Sequence, residues 1–224
     1  SVMIGVQFAL SIFMLAMVLV VFFQNRMVEK SSNIFPKSQV LVLDRVQVED
    51  IRARHQVLRQ ELMALPGVDN ASYSSQVPFE QSNSSNGASR SPGDEASEVI
   101  INNVSIDEGF LETFDIPLLQ GRALSRAIAD DVVEEDDKRI NVVVNQLLLQ
   151  SLGFDSTNTV LGQSFFSVPG DDDEDQEPVQ YTIVGTVPDQ NFLGLHNKIK
   201  PMAFFIDQER NRVAAVRLNG ADMA

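Results

Sequence analysis

The 224-residue chain has no cysteine and no tryptophan, and its only histidines are His55 and His196. Without cysteine it can form neither disulfides nor thiolate metal sites. Basic residues are also scarce, since 17 Lys and Arg stand against 31 Asp and Glu, a formal net charge of −14. Nucleic acids and anionic lipid surfaces bind clustered basic residues, so the composition excludes both as main ligands.

The chain offers little material for catalysis. No Gly-rich phosphate loop and no dinucleotide-binding fingerprint is present, which excludes ATP or NAD binding by those devices. His55 falls on a predicted amphipathic helix, where a packed or half-exposed structural histidine is expected, and His196 falls in a predicted loop. Carboxylates are plentiful, but no spacing selects a glycosidase-type pair. We therefore predict no catalytic residue, no cofactor-binding residue and no metal ligand, and we expect that the chain is not an enzyme.

Long apolar runs are limited to the start of the chain. Val2 to Phe23 is a stretch of 22 positions without a charge, followed by Arg26 and Lys30. As a helix it would span roughly 33 Å, against about 30 Å for the hydrocarbon core of a bilayer. A cleavable signal peptide has a shorter apolar region behind a basic leader, and a buried helix would need a larger core. The sequence predicts a transmembrane helix over residues 1–25 and a stalk or connector over 26–38.

The remaining residues predict an α+β fold with more strand than helix. Alternating or β-branched runs predict strands at 39–45, 68–75, 99–106, 141–144, 163–168, 179–187, 202–206 and 213–218. Apolar residues at helical spacing predict a continuous helix over 48–65, with Ile51, Leu58, Leu62 and Leu65 on one face and Pro66-Gly67 after its end. Shorter helices are predicted at 108–114 and 145–152, and Gly121-Arg122 is predicted to close a turn. Residues 39–75 form a β-α-β unit on this interpretation.

Three polar segments interrupt this pattern. Residues 80–97 are rich in Ser, so we expect a solvated, mobile loop outside the core, with a partner-binding tip as the alternative. Two acidic runs, 130–137 and 171–177, hold six carboxylates each and are expected to be solvated loops. Asp171, Asp173 and Asp175 match the first ligand positions of a calcium-binding EF-hand loop, but Gln176 and Thr182 stand where that loop needs Gly and Glu.

Short phrases along the whole chain resemble MacB/FtsX-like ABC transporter permeases, most closely the second transmembrane half of permeases with two halves. Each phrase is unspecific alone, but their order and spacing agree. They are 6–12 with Gln24, 65–68, 110–114, 119–125, 142–145, 161–163, 183–187, 192–195 and 199–201.

The resemblance implies a two-lobed periplasmic core domain after the membrane helix. A porter-like lobe would comprise residues 39–107 and a returning, truncated part at 204–224, with a strand-rich lobe inserted at 108–203. The implied location is the bacterial inner membrane, with the soluble domain in the periplasm. The implied partners are a cytoplasmic ABC ATPase, further permease helices or a second permease half, and a periplasmic adaptor or substrate.

The resemblance also implies a function without chemistry in this chain. The domain would couple ATP hydrolysis by the separate ATPase to export or mechanical work in the periplasm. A single-pass extracytoplasmic sensor or ligand-binding module is the alternative, and an envelope hydrolase is disfavoured by the few candidate catalytic groups. Further apolar spans after Ala224 would indicate a permease, whereas a second helix leading to a signalling domain would indicate a sensor.

Overall fold

The computed structural model describes residues 2–32, 40–78, 80, 84–134, 137–154, 160–169, 177–192 and 197–219. The chain divides into two compact units, residues 1–35 and 36–224. The α-helices are α1 (Val2–Ser32), α2 (Glu49–Arg52), α3 (His55–Met63), α4 (Phe110–Thr113) and α5 (Gln146–Ser151). The strands are β1 (Val40–Asp44), β2 (Val68–Ser74), β3 (Ser85–Ser89), β4 (Val99–Ser105), β5 (Gln120–Gly121), β6 (Arg139–Asn145), β7 (Ser164–Val168), β8 (Gln180–Val187), β9 (Met202–Phe205) and β10 (Val213–Leu218).

The helix α1 forms the described part of the first unit. Its 25 residues Val2–Arg26 are long and apolar enough to cross a membrane, judged by length and composition. The helix continues to Ser32, so the first part of the predicted connector at 26–38 is helical. No proline or glycine lies between Phe23 and Ser32, and nothing in the local sequence therefore ends the helix at the end of the apolar run.

A three-stranded sheet with the order β1-β10-β2 begins the second unit. The strand β10 pairs antiparallel with both neighbours, with Ala214 opposite Leu43 on one side and Tyr73 on the other. The strands β1 and β2 are therefore parallel to each other with β10 between them. The predicted β-α-β unit is thus present in split form, with its central strand supplied from the far end of the chain.

The continuous helix predicted over 48–65 is wrong. The segment forms α2 and α3, which are separated at Ala53 and Arg54. The buried residue of α3 is His55, whereas Ile51 and Leu65 on the predicted apolar face are exposed. Apolar periodicity identified only part of the packing face: Leu58 packs against Val46, Tyr73 and Ala214, whereas the most buried contact of α3 comes from the ring of His55.

The other strands form a seven-stranded sheet with the order β5-β8-β6-β9-β4-β3-β7. A further antiparallel pairing joins β7 to β8, so six strands close into a ring. The short strand β5 lies outside the ring and pairs with β8. The pairs β4–β9 and β6–β8 are parallel. Its apolar core includes Ile101, Val142, Leu148 and Phe165, and closure leaves few unpaired strand edges. We call this ring of strands the barrel.

The Ser-rich segment contradicts its prediction as a solvated loop outside the core. The strand β3 lies within it and pairs with β4 and β7, and Ala88 and Ser89 are fully buried. Its small side chains give no hydrophobic pattern that would predict a strand. Backbone pairing on both edges holds it in place instead. The strands β3 and β4 therefore pair in the barrel, although residues 39–107 were expected in the porter-like lobe.

The remaining strand predictions agree with the structure. The predicted pair 163–168 and 179–187 corresponds to β7 and β8, which are antiparallel. The short helices predicted at 108–114 and 145–152 correspond to α4 and α5. The turn predicted at Gly121-Arg122 is wrong, because residues 120–121 pair with β8 as β5, and the left-handed backbone at Gly121, with φ of +76°, favours glycine there.

Candidate functional site

The candidate site lies at the joint between the three-stranded sheet and the barrel. Here β4 leaves the barrel and meets the end of β2: the Ser75 amide donates to the Ser105 carbonyl at 2.9 Å, and the Ser105 amide donates to Ser75 Oγ at 3.0 Å. Ile106 forms an antiparallel bridge with Ser74, and the Asp107 amide donates to the Tyr73 carbonyl at 2.9 Å. These contacts fix the two sheets to each other at one short segment.

A cavity of about 200 Å³ lies beside this joint. Its lining combines His55 and Arg59 from α3, Tyr73 from β2, Asp107 and Glu108 from the β4–α4 connection, and Arg126. The cavity therefore gathers one histidine, one phenol, two carboxylates and two guanidinium groups.

Asp107 is the most buried carboxylate of this cavity, with 3% of the residue exposed. Its Oδ1 accepts a hydrogen bond from the Gly109 amide at 3.1 Å, and its Oδ2 lies 3.8 Å from Arg59 Nε. Burial raises the pKa of Asp107 to about 6, although the Arg59 charge and hydrogen bonds oppose this shift. Asp107 thus exchanges its proton much closer to neutrality than an exposed aspartate.

Arg59 connects α3 to both sides of the joint. Its Nε donates to the Ala71 carbonyl at 2.7 Å and its Nη1 donates to Glu108 Oε1 at 3.3 Å. The backbone of residue 109 approaches Arg59 and Ala71 so closely that glycine fits best there. An added Cβ would stand 2.6 Å from Arg59 Nη2 and 3.0 Å from the Ala71 carbonyl oxygen. Arg59 therefore joins α3, β2 and the β4–α4 connection.

His55 lies flat on Tyr73, with ring centroids 4.1 Å apart and planes inclined by 14°. Its Nε2 is 2.9 Å from the Val46 carbonyl oxygen, which requires a proton on Nε2, and its buried Nδ1 has no hydrogen-bond partner among the described residues. Burial lowers the pKa of His55 below 6.5. Burial also raises the pKa of Tyr73 to about 12, with a further contribution from Asp107. The stacked pair is therefore held in its uncharged form.

A second polar cluster holds the start of the first acidic run. Asp131 is fully buried and accepts hydrogen bonds from Arg122 Nη2 at 2.8 Å, Asn141 Nδ2 at 2.8 Å and the Ser125 amide at 2.9 Å. Burial raises the pKa of Asp131, but the hydrogen bonds outweigh burial and the net shift is downward. The cluster fixes the Gly121-Arg122 segment to β6.

The structure changes several of the sequence-based expectations for polar residues. His55 is packed, which is one of the two placements predicted for it, and His196 lies outside the described residues. The solvated-loop prediction for 130–137 is wrong at Asp131. Its buried carboxylate is paired with the Arg122 guanidinium and accepts hydrogen bonds from Asn141 and the Ser125 amide. Residues 171–176 lie outside the described residues, so the calcium interpretation remains untested. Within the described ranges, no group of three or more His, Asp or Glu side chains could hold a metal ion.

Sequence reasoning missed Asp107, Tyr73 and Arg126 as members of one cavity. One signal was available for Asp107, since a carboxylate directly follows the buried strand β4 and precedes the short helix α4. Its raised pKa depends on β2 and α3 packing over it, and no sequence pattern links those elements to Asp107.

Comparison with protein families settles the family of the chain. Residues 1–223 match the family model described as the MacB-like periplasmic core domain. The chain belongs to this family. It is thus a periplasmic core domain of the MacB/FtsX-like ABC transporter permeases, as the resemblance predicted, and its apolar helix with a mixed α/β domain is the expected fold class.

Solved structures similar to the chain include three domains of transporters. A domain of a proposed permease protein from Porphyromonas gingivalis is 18% identical, covers 74% of this chain and 67% of its own, and has a TM-score of 0.44. The periplasmic region of MacB from Actinobacillus actinomycetemcomitans is 14% identical, with 84% and 78% coverage and a TM-score of 0.46. The extracellular domain of the ABC-type transporter YknZ from Gram-positive bacteria is 12% identical, with 73% and 72% coverage and a TM-score of 0.44. Curated proteins give no significant match.

Proposed function

We propose that this MacB-like domain is the membrane-anchored periplasmic part of a permease subunit, and that it passes movement driven by a separate ABC ATPase to a substrate or adaptor in the periplasm. The observation that supports this proposal most is the family match over residues 1–223. The match includes the apolar helix α1 as well as the folded domain, so anchor and domain belong to one family unit.

Anchoring in the bacterial inner membrane is the first part of the proposal. The 31-residue α1 has an apolar stretch from Val2 to Phe23 without a charged residue. Burying such a stretch in lipid is favourable because its side chains are apolar, and the helix pairs its interior backbone polar groups so that they need no water. The domain after Pro36 then lies on the periplasmic side, in accordance with the family description.

Mechanical transmission is the second part of the proposal. Residues 36–224 form one compact unit, and the joint described above connects its two sheets. Ser105 Oγ donates its one proton to the Asp207 carbonyl at 2.6 Å and also lies 2.8 Å from Asn211 Oδ1. A displacement applied to the three-stranded sheet would therefore be carried to the barrel through several short polar contacts.

The lobes of the domain are proposed to follow the sheets. The porter-like lobe would contain the three-stranded sheet with α2 and α3, and the second lobe would contain the barrel. On this division β3 and β4 leave the first part of the porter-like lobe, originally expected to be 39–107, and the returning part begins near β10. Because the end of β4 leaves the barrel and meets the end of β2, the boundary between the two lobes would lie at the joint.

Co-purification tests the partner on which the proposal depends. Full-length protein isolated from its own membranes in mild detergent is expected to bring along an ABC ATPase, and ATP hydrolysis should depend on that subunit. The 224-residue chain alone serves as the control and is expected to hydrolyse no ATP. Recovery of a signalling kinase or of no ATPase would contradict the permease function and favour a sensor.

A further inference from the structure

We propose that His55 and Asp107 act as two opposed proton switches, so that closure of α3 on the joint depends less on pH than it would with either group alone. This inference concerns regulation of the fold and does not depend on the ATPase partner. It rests on the shared cavity, on the burial of both side chains and on their positions on opposite sides of one contact.

The two groups belong to the two sides of the contact that would open. His55 begins α3 and stacks on Tyr73 of β2, whereas Asp107 follows β4 and faces Arg59 of α3. Only 2% of His55 and 3% of Asp107 are exposed. Movement of α3 away from the joint would therefore expose both side chains to water at once.

The charged groups around the cavity come from every neighbouring element. Arg59 faces Asp107 from α3, Tyr73 faces it from β2, and Glu108 precedes α4. Arg126 acts on both Asp107 and His55, and Arg52 of α2 acts on His55. Arg126 Nη1 also donates to Gln208 Oε1 at 3.2 Å, and this hydrogen bond holds the Arg126 guanidinium at the cavity.

Asp107 favours the closed joint in acid. Its pKa is about 6 in the closed protein and 3.8 as the ordinary value, so closing takes up a proton. Its stabilising effect is complete below about pH 4 and is lost as the pH rises through about 6. Asp107 alone would therefore let α3 open more often as the medium becomes neutral.

His55 acts in the opposite direction. Burial lowers the pKa of the closed-state imidazole below 6.5, so closing releases a proton. The stabilising effect of the neutral ring is complete above about pH 6.5 and is lost as the pH falls through the lowered pKa. His55 alone would let α3 open more often in acid, and between about pH 4 and 6.5 the two contributions offset each other.

Hydrogen–deuterium exchange on the whole chain in lipid nanodiscs tests the proposal. Opening is read from peptides covering α3 and residues 106–114 at about pH 5 and about pH 7.5, after correction for the pH dependence of chemical exchange. His55→Gln keeps a donor toward the Val46 carbonyl and should show opening that increases about tenfold from about pH 5 to about pH 7.5, as the two Asp107 pKa values require. Asp107→Asn should show the reverse, with opening that increases as the pH falls.

Controls separate the switches from a general loss of packing. Wild type should depend on pH less than either variant, the double variant should be nearly flat, and Glu61→Gln, which alters an exposed carboxylate of α3 outside the cavity lining, should behave as wild type. If His55→Gln and Asp107→Asn change with pH in the same direction, or as wild type does, the proposal is wrong.

A measurement on the unmodified chain covers the case in which a variant does not fold. Selective isotope labelling and NMR give the titration midpoints of the two side chains directly. We expect the His55 midpoint below 6.5 and the Asp107 midpoint well above 3.8. Ordinary midpoints for both side chains would overturn the proposal.

Discussion

At the scale of single residues, the cluster around Asp131 shows how a charge in an acidic run becomes part of the core. Arg122, Asn141 and the Ser125 amide supply hydrogen bonds that hold the buried carboxylate in its ionised form. The Gly-Arg phrase at Gly121-Arg122 was noticed in the sequence, but its partner was hidden among six carboxylates of the same run. Sequence alone could not choose Asp131, because the choice depends on β6 presenting Asn141.

Replacing Asp131 with alanine should destabilise the domain by about 2 kcal/mol. Loss of one partner of a buried pair costs about 3–5 kcal/mol, but the Arg122 side chain is 40% exposed and can hydrate. Chemical denaturation followed by circular dichroism measures the change. Asp130→Ala, which alters the exposed neighbouring carboxylate, should change stability by less than about 0.5 kcal/mol, and equal effects of the two substitutions would contradict a special role for Asp131.

At the scale of secondary structure, hydrophobic patterning identified most strands but missed β3. Ordinary strand signals from β-branched and aromatic residues were sufficient for β4, β6, β8, β9 and β10. The strand β3 reads Ser-Asn-Gly-Ala-Ser, and its place between β4 and β7 depends on pairing with residues distant in sequence. The break between α2 and α3 was also missed. The position of α3 depends on the stacking of His55 on Tyr73, which lies on a strand that the helical spacing does not reveal.

An aspartate at Ala88 tests whether β3 belongs to the core. Ala88 is fully buried, so Ala88→Asp places a carboxylate without a partner in the barrel and should cost more than about 3 kcal/mol. Asn86→Asp, two residues earlier on an exposed position, is the matched control and should be nearly neutral. If thermal unfolding midpoints of both variants matched that of wild type, the segment would be a surface loop as first expected.

Two glycines with left-handed backbone conformations should differ in their tolerance of alanine. Gly121 and Gly153 have φ of +76° and +69°, which costs an alanine about 1–2 kcal/mol at either position. An added Cβ at Gly121 would also stand 2.2 Å from the Val184 carbonyl oxygen, whereas Gly153 has nothing within 4 Å. Gly121→Ala should therefore destabilise the domain by clearly more than Gly153→Ala in the same denaturation assay, and the reverse order would contradict the pairing of β5 with β8.

At the scale of the whole molecule, the sequence was sufficient for the family and for the fold class. The short phrases outside residues 193–196 lie in helices, turns and strands alike, from α1 to β8, so the resemblance is carried by their order along the chain and by no single element. The closure of the barrel and the position of β10 between β1 and β2 were not predictable, since both depend on pairing between segments far apart in the chain. The cavity at the joint was hidden for the same reason.

A charge in the middle of α1 should impair anchoring. Leu15→Lys places an ammonium group near the centre of the 25-residue apolar segment Val2–Arg26, and its insertion should become less favourable by roughly 3 kcal/mol. Asn25→Lys, at the end of the segment, is the control and should insert as wild type. Membrane insertion is measured by resistance to alkaline extraction, and undiminished insertion of Leu15→Lys would contradict a membrane-spanning α1.

Distance measurement by electron spin resonance in the intact transporter tests the central claim most directly. The 224 residues contain no cysteine, so cysteines introduced at Asn25 and Leu161 label this domain at two chosen positions. The experiment uses full-length protein reconstituted with its ABC ATPase, with any cysteine elsewhere in either protein replaced. We predict that ATP shifts the distance distribution between the two labels, and that an ATPase variant unable to bind ATP abolishes the shift. An unchanged distribution while ATP is being hydrolysed would contradict mechanical coupling through this domain.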